Sequence, residues 1–222
     1  MAFAAEVSRG KTELINALFF TDMGIRLLPA ATERTTMCPT ELFYNGESCY
    51  IRLLDIETRL ESTSLVEYLA NVASWKQVEL DYNSPNQSQA AFKELLAVKK
   101  VPKEHAVKLS LWNEREASEL GLLDAEEVEI PCWRYASISL PHPLLKQGLC
   151  ILDTPGLSAL GVEPELTLNI LSRAEAIIFV LAADRGVTKS DLIVWRSFVN
   201  RARGRVKVKP VVISVPIERR ST

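Results

Sequence analysis

The residues best suited to chemistry lie near the start of the chain, in the stretch Ser8-Arg9-Gly10-Lys11-Thr12. Backbone N–H groups that open a helix bind phosphate, because the first turn leaves its donors unpaired and the helix dipole is positive there. We expect Gly10 to let the backbone approach a phosphate, Lys11 to reach the β- and γ-phosphates, and the Thr12 hydroxyl to ligate Mg²⁺. The full Walker A pattern has a glycine five residues before Gly10, where this chain has Ala5.

A second candidate motif, Asp153-Thr154-Pro155-Gly156, follows a short apolar run. In a phosphate-hydrolysing switch, an aspartate at this place contacts Mg²⁺, usually through water, and the glycine N–H senses the γ-phosphate. We therefore predict that Asp153 contacts the metal ion and that Gly156 contacts the nucleotide. The alternative is an ordinary turn, which the upstream Gly10-Lys11-Thr12 disfavours.

A third candidate is the loop that contains Thr35-Thr36-Met37-Cys38-Pro39. A switch loop needs one threonine whose hydroxyl and carbonyl close over Mg²⁺ and the γ-phosphate. Thr36, in a T-x-x-P arrangement, is the first choice for that role, and Thr35 is the second. The alternative is a solvent-exposed polar loop without a ligand.

Short apolar runs and helical patterns must position these motifs. Met1 to Ala5 reads as a short strand, and a helix follows with Leu14, Ile15, Leu18 and Phe19 on one face. The strand before and the helix after favour a phosphate loop over a chance Gly-Lys-Thr tripeptide. The runs Thr40 to Tyr44 and Cys49 to Leu54 are β-prone and flank Asn45-Gly46, which predicts a hairpin.

The remaining pattern predicts one domain, an α/β three-layer sandwich whose mostly parallel sheet carries helices on both faces. Residues 57–128 look helical and polar and are interpreted as an inserted helical segment. The sheet and its helices are predicted from these runs: strands at 129–140, 149–152, 176–182 and 206–215, and helices near 163–165 and at 190–203. In the last helix, Leu192, Trp195, Val199 and Ala202 are predicted to face inward.

The three motifs in this order resemble those of dynamin superfamily GTPases, and in particular of bacterial dynamin-like proteins. The resemblance is carried by residues 8–18, Leu28-Pro29, Thr36 to Pro39, residues 152–157 and Leu181 to Asp191. It implies a GTPase-type P-loop NTPase domain that binds GTP or GDP with Mg²⁺ and hydrolyses GTP to GDP and phosphate. It also implies a nucleotide-dependent homodimer, and a role in membrane remodelling with peripheral membrane contact through regions outside this sequence.

The resemblance also implies a set of site residues. Ser8 matches a serine that helps to position the attacking water, whereas Val7 stands where dynamins often have a polar catalytic residue. Arg9 is open to two interpretations, an internal arginine finger or an exposed, solvated side chain, and the second is preferred. The implied catalytic residues are Ser8, Lys11 and Thr36; the nucleotide-binding residues are Ser8, Arg9, Gly10, Lys11, Thr12, Glu13, Asp153 and Gly156; the metal ligands are Thr12, Thr36 and Asp153.

Thr188-Lys189-Ser190-Asp191 matches the guanine-reading pattern [NT]-K-x-D letter by letter, but it follows the wrong strand for that role. We interpret it as a helix start, with Thr188 or Ser190 as the N-cap. The base-reading motif is then absent, and we expect a domain truncated at both ends. Two alternatives to a GTPase stay open: a non-catalytic remnant that binds nucleotide weakly or serves in interactions, and a P-loop protein that uses ATP or ignores the base.

Composition sets the broad class. Lys and Arg number 26 against 28 Asp and Glu, a formal charge of −2 that argues against a nucleic-acid partner. The longest apolar run, residues 176–183, is far shorter than the roughly 20 residues that span a bilayer. The four cysteines lack metal-ligand spacing, which favours free thiols in a cytoplasmic protein. The resemblance to dynamins implies a location that is at most peripheral to the inner face of a membrane. A basic stretch, Arg196 to Lys209, could touch an anionic surface, but a solvated helix face is preferred.

Overall fold

A computed structural model gives the fold. It describes residues 1–5, 9–21, 28, 38–82, 84–112, 118, 124–154, 171, 174–182, 186–199 and 207–210. The strands are β1 Ala2–Ala5, β2 Thr40–Phe43, β3 Tyr50–Asp55, β4 Lys76–Glu79, β5 Val98–Pro102, β6 Glu127–Pro131, β7 Trp133–Ser139, β8 Ile151–Asp153, β9 Ala176–Val180 and β10 Lys207–Pro210. The helices are α1 Lys11–Phe19, α2 Leu65–Ala70, α3 Pro85–Lys93, α4 Lys103–Lys108, α5 Pro143–Lys146 and α6 Lys189–Val194. Short 3-10 turns occupy Ile56–Leu60, Val72–Ser74 and Glu94–Leu96, and a π-helical turn, Trp195–Val199, continues α6.

Eight of the described strands form one sheet in the order β10-β9-β1-β8-β2-β7-β3-β4. Strands β10, β9, β1 and β8 run parallel, and β1 lies between β8 and β9. Strand β2 is antiparallel to β8 but parallel to β7, and β3 and β4 continue the sheet with antiparallel pairing. The carboxyl ends of β1, β8 and β9 therefore meet at one edge, where the predicted phosphate loop begins.

Helices cover both faces of this sheet. Along β1, Phe3 and Ala5 belong to one buried cluster and Ala2 and Ala4 to another, because successive side chains point to opposite faces. The first cluster includes residues of α1, α3 and α5, and the second includes residues of α2 and α6. The predicted α/β three-layer sandwich with a mostly parallel sheet is confirmed.

The predicted hairpin across Asn45-Gly46 is wrong. Gly46 does lie in a turn, with φ of 86°, but β7 is inserted between β2 and β3 and pairs with both. The buried hydroxyl of Ser139 at the end of β7 donates to the carbonyl of Ser48 at 2.8 Å and to Oδ1 of Asn45 at 3.1 Å. The turn is thus anchored to a strand that lies far along the chain.

The segment 57–128 contains the predicted helices together with two strands that the helical interpretation missed. Strand β4 forms an edge of the main sheet, and β5 pairs with β6 in a separate two-stranded ribbon. This ribbon and α4 share a small apolar cluster with Ile56. Where the inserted segment begins and ends as a domain stays a prediction.

The single strand predicted at 129–140 is two strands in different sheets. Cys132 divides them: its N–H donates to the carbonyl of Ala97, and its carbonyl accepts from the N–H of Ile56, both at 2.8 Å. These bonds replace ladder bonds at the junction, so β6 stays in the ribbon and β7 enters the main sheet. The helix predicted near 163–165 lies outside the described residues.

Two predicted helix faces need correction in part. Trp195 packs against the second buried cluster as predicted, while the side chain of Val199 and all of Ala202 lie outside the described residues. Leu18 on α1 and Leu192 on α6 are 53% and 45% exposed, whereas Asn16 and Asp191 are buried. In both helices a polar side chain takes an inward position because it has a hydrogen-bonding partner there. In the part of the chain that the structure describes, no helix is both long and apolar enough to cross a bilayer.

Candidate functional site

The phosphate loop leads from β1 to α1, and Gly10 is the N-cap of that helix. Its φ of 79° lies in the left-handed region, which glycine adopts without the strain that a side chain would cause. The carbonyl of Gly10 already accepts the first helical bond, from the N–H of Leu14 at 2.9 Å. The first N–H groups of α1 are therefore directed to the edge of the sheet where a phosphate could bind.

Lys11, Thr12 and Asp153 come together at this edge. Nζ of Lys11 donates to Oδ1 of Asp153, and both side chains are buried. The hydroxyl of Thr12 lies 3.5 Å from Oδ2 of the same carboxylate. Asp153 ends β8, the direct neighbour of β1, so sheet pairing brings two distant sequence motifs into contact.

Arg9 is buried, with 6% of its surface exposed, so the preferred interpretation of an exposed, solvated side chain is wrong. Its Nε and Nη2 donate to Oδ1 and Oδ2 of Asp191, each at 3.0 Å, and Nη2 also donates to the hydroxyl of Thr188 at 3.0 Å. Burial raises the pKa of Asp191, but the hydrogen bonds from Arg9 and Thr188 outweigh that effect and hold this pKa below its usual value. Asp191 is therefore an ionised partner of Arg9.

The prediction of a helix start at Thr188 is confirmed. The Thr188 hydroxyl accepts from the N–H of Asp191, and the Asp191 carboxylate accepts from the N–H of Thr188 at 2.8 Å, which together form a capping box. The carboxylate of Asp191 is thus engaged by Thr188 and Arg9 at the start of α6.

Two further contacts shape the site and were not foreseen in the sequence. The side-chain amide of Asn16 exchanges two hydrogen bonds with the backbone of Leu28, at 2.8 and 2.9 Å, and so fixes one point of the loop after α1. The hydroxyl of Thr154 donates to the carbonyl of Phe3 at 2.9 Å and ties the end of β8 to β1. The amphipathic pattern of α1 did not predict that Asn16 is buried, because its partner is a backbone group and no particular residue type marks that partner in the sequence.

The entry into β2 also lies beside Asp153, because Thr40 pairs with Asp153 in the sheet register. Cys38, two residues earlier, is buried, and that burial raises the pKa of its thiol to about 12. The predicted switch threonine Thr36, its alternative Thr35, and Ser8 and Gly156 lie outside the described residues. Glu13 lies in the first turn of α1 and is partly buried.

The donors gathered here suit a hard divalent cation. Hydroxyl and carboxylate oxygens are the ligands that Mg²⁺ prefers, and Thr12 and Asp153 present one of each within hydrogen-bonding range of one another. Mg²⁺ usually keeps several waters, and substrate phosphates complete its coordination shell. Two oxygen ligands from the protein are therefore enough for such a site. Among the described side chains, no group of three or more His, Cys, Asp or Glu residues could hold a metal on its own.

The geometry agrees with the comparison with known families, in which the model described as "Dynamin family" matches residues 2–206. The chain belongs to the dynamin family. Over 77 residues it is 36% identical to the isoniazid-induced protein IniA of Mycobacterium tuberculosis, strains CDC 1551 / Oshkosh and ATCC 25618 / H37Rv. That match covers 34% of the chain and 11% of IniA.

Two similar solved structures come from work on an oligomerised bacterial dynamin pair, described as a mechanism for long-range sensing and tethering of membranes. Both are 16% identical to this chain, with TM-scores of 0.46 and 0.40. They are matched over 95% and 96% of this chain but only 25% and 38% of their own lengths. This chain thus spans only a minor part of the length of each of these relatives.

Proposed function

We propose that this dynamin-family domain binds GTP together with Mg²⁺ at the phosphate loop and hydrolyses it to GDP and phosphate. The observation that carries the proposal is the meeting of Gly10, Lys11 and Thr12 with Asp153 at the carboxyl ends of two neighbouring parallel strands. Open α/β sheets bind their ligands at such edges, and phosphates bind where a helix begins there.

Lys11 is the residue that must change partner. Its ammonium group is held by the Asp153 carboxylate in a buried pair, in which each charge faces an opposite one. When a triphosphate occupies the loop, Lys11 can turn from Asp153 to the β- and γ-phosphates, which carry more negative charge. The backbone N–H groups at the start of α1 then receive the phosphate oxygens that face Gly10.

Thr12 and Asp153 are the described residues that would hold Mg²⁺, with Thr36 as the proposed third ligand. The ion would neutralise charge on the β- and γ-phosphate oxygens. Release of Asp153 from Lys11 leaves its carboxylate available at the same place. We further propose that Ser8 positions the attacking water, that the N–H of Gly156 contacts the γ-phosphate, and that Glu13 borders the nucleotide site.

Single-turnover phosphate release tests the proposal. The wild-type chain should release phosphate from GTP in the presence of Mg²⁺, and Lys11→Ala should lower the rate by at least about a hundredfold. The matched control is Lys108→Ala on α4, where the side chain is exposed; it should keep the wild-type rate. Saturable nucleotide binding without phosphate release would instead favour the non-catalytic interpretation, and equal rates for GTP and ATP would favour a base-indifferent one.

Family membership also supports the proposal that the whole protein acts in membrane remodelling and forms a nucleotide-dependent homodimer. We propose that any membrane contact is peripheral. Sedimentation velocity with and without a GTP transition-state analogue tests the dimer: the sedimentation coefficient should rise only when the analogue is bound. An unchanged coefficient at saturating analogue would contradict nucleotide-dependent dimerisation of this chain.

A further inference from the structure

We propose that Arg9 is a positioning residue that holds the phosphate loop in shape through Asp191, and that it does not contact the nucleotide. This inference rests on the proposed nucleotide site and assigns a role within it. It replaces both roles expected from the sequence, the arginine finger and the solvated side chain.

The geometry of the contact is that of a fixed structural pair. Arg9 presents two nitrogens to the two carboxylate oxygens of Asp191, both at 3.0 Å, and a further bond joins it to Thr188. The side chains of Arg9 and Asp191 are 4% and 1% exposed. A bidentate guanidinium–carboxylate pair fixes orientation as well as distance. An arginine so engaged and buried has few donors left for a ligand.

Sheet topology shows why this pair matters to the loop. Strand β1 leads into the phosphate loop, and each of its two neighbours leads to a carboxylate, Asp153 as the last residue of β8 and Asp191 in the helix that follows β9. Asp153, at the end of β8, holds Lys11 on one side of Gly10, and Asp191, after β9, holds Arg9 on the other. The left-handed turn at Gly10 is therefore fixed from both flanks.

Helix capping alone does not account for the arrangement at Asp191. Helix α2 begins with the same capping box, in which Glu67 accepts bonds from the N–H and hydroxyl of Ser64 at an exposed position. At α6 the corresponding carboxylate is buried and also accepts two bonds from an arginine 182 residues away. The additional, buried bonds join α6 to the phosphate loop, and Glu67 offers a matched control for the cap itself.

The two possible roles of Arg9 predict different kinetics. A positioning residue preserves the N–H cradle that faces the phosphates present in both GDP and GTP, so its loss should weaken the binding of both nucleotides alike. An arginine finger would stabilise charge that develops only during hydrolysis, so its loss should lower kcat and leave GDP affinity unchanged. The GDP dissociation constant therefore separates the roles.

The test measures dissociation constants for fluorescent GDP and for a fluorescent non-hydrolysable GTP analogue. Arg9→Lys keeps the charge but loses the bidentate geometry, and Asp191→Asn loses the charge of the partner; each should raise both constants about tenfold. Glu67→Gln should leave both unchanged. Thermal unfolding by circular dichroism confirms that each variant is folded, and Thr188→Val replaces Asp191→Asn should the latter fail to fold.

The double variant gives the decisive comparison. If Arg9 acts through Asp191, adding Arg9→Lys to Asp191→Asn causes no further loss of affinity, because the pair is already broken. Multiplicative losses, or a lower kcat with unchanged GDP affinity, would show that Arg9 contacts the nucleotide and would overturn the proposal. A wild-type chain whose nucleotide binding is absent or insensitive to Lys11→Ala would instead refute the proposed function itself.

Discussion

At the scale of single residues, the site is built from cations matched to buried carboxylates. Lys11 faces Asp153 and Arg9 faces Asp191, one pair on each side of Gly10. A buried charge without its partner is costly, since neither water nor another group solvates it. Each pair therefore has a consequence for stability that can be measured without any nucleotide.

The Lys11–Asp153 pair should show strong coupling in unfolding experiments. Asp153→Asn leaves the Lys11 ammonium without its anion and should lower the free energy of unfolding by about 3 kcal/mol. Lys11→Met in the same chain should recover most of that loss, because no unpaired charge remains. Urea denaturation of the two single variants and the double variant measures the coupling; strictly additive losses would contradict a buried pair.

Asp191 should make the native state sensitive to acid. Its pKa is held below the ordinary 3.8, because the bonds from Arg9 and Thr188 outweigh the opposing effect of burial. The unfolded chain then binds the proton more tightly, so the group contributes stability above its unfolded pKa, and this contribution is lost as pH falls through the lower folded pKa. Urea unfolding from about pH 6 down to about pH 3 should show a steeper loss for the wild type than for Asp191→Asn. Equal pH dependence in the two proteins would show that Asp191 is not held by Arg9.

At the scale of elements, strand β7 is what separates β2 from β3. Ser139 anchors the 44–49 turn to β7 from a fully buried position. Ser139→Ala should therefore lower the free energy of unfolding by about 1 to 2 kcal/mol, since Asn45 and the Ser48 carbonyl lose a buried partner. The control is Ser137→Ala, on the same face of β7 but half-exposed, which should cost less than about 0.5 kcal/mol. If the two variants lost equal free energy of unfolding in urea, Ser139 would not be the residue that anchors the turn.

The sequence predicted those elements whose signal is local and missed those whose partner is distant. The strand, the Gly10-Lys11-Thr12 loop and α1 are contiguous, so spacing alone identified them. Asn45-Gly46 correctly marked a turn, but the apolar alternation of β2 and β3 carries no information about a third strand entering between them. The capping box at Thr188 was also local and predictable, whereas Arg9 as a further donor to Asp191 depends on the packing of β9 against β1.

At the scale of the whole molecule, the candidate site occupies the parallel half of the sheet. Strands β1, β8 and β9 converge there, while β3, β4 and the β5–β6 ribbon lie toward the other end of the strand order or outside the main sheet. The ribbon has its own apolar cluster. Among the described residues, none of those that bind Lys11 or Arg9 belongs to this cluster. We therefore expect nucleotide binding to change the dynamics of the parallel half of the sheet and to leave the ribbon unaffected.

Hydrogen exchange can test that division. Addition of a non-hydrolysable GTP analogue with Mg²⁺ should slow amide exchange in α1 and at the end of β8, because their N–H groups border the proposed site. Exchange in β5 and β6 should stay the same. Protection that appeared in the ribbon and not in α1 would place the nucleotide elsewhere.

Calorimetric titration with a non-hydrolysable GTP analogue tests the claim that GTP and Mg²⁺ bind at the phosphate loop of this dynamin-family domain. We predict saturable heat in the presence of Mg²⁺, retained in Lys108→Ala and lost in Lys11→Ala. The absence of saturable heat in the wild type, or unchanged binding by Lys11→Ala, would contradict the claim.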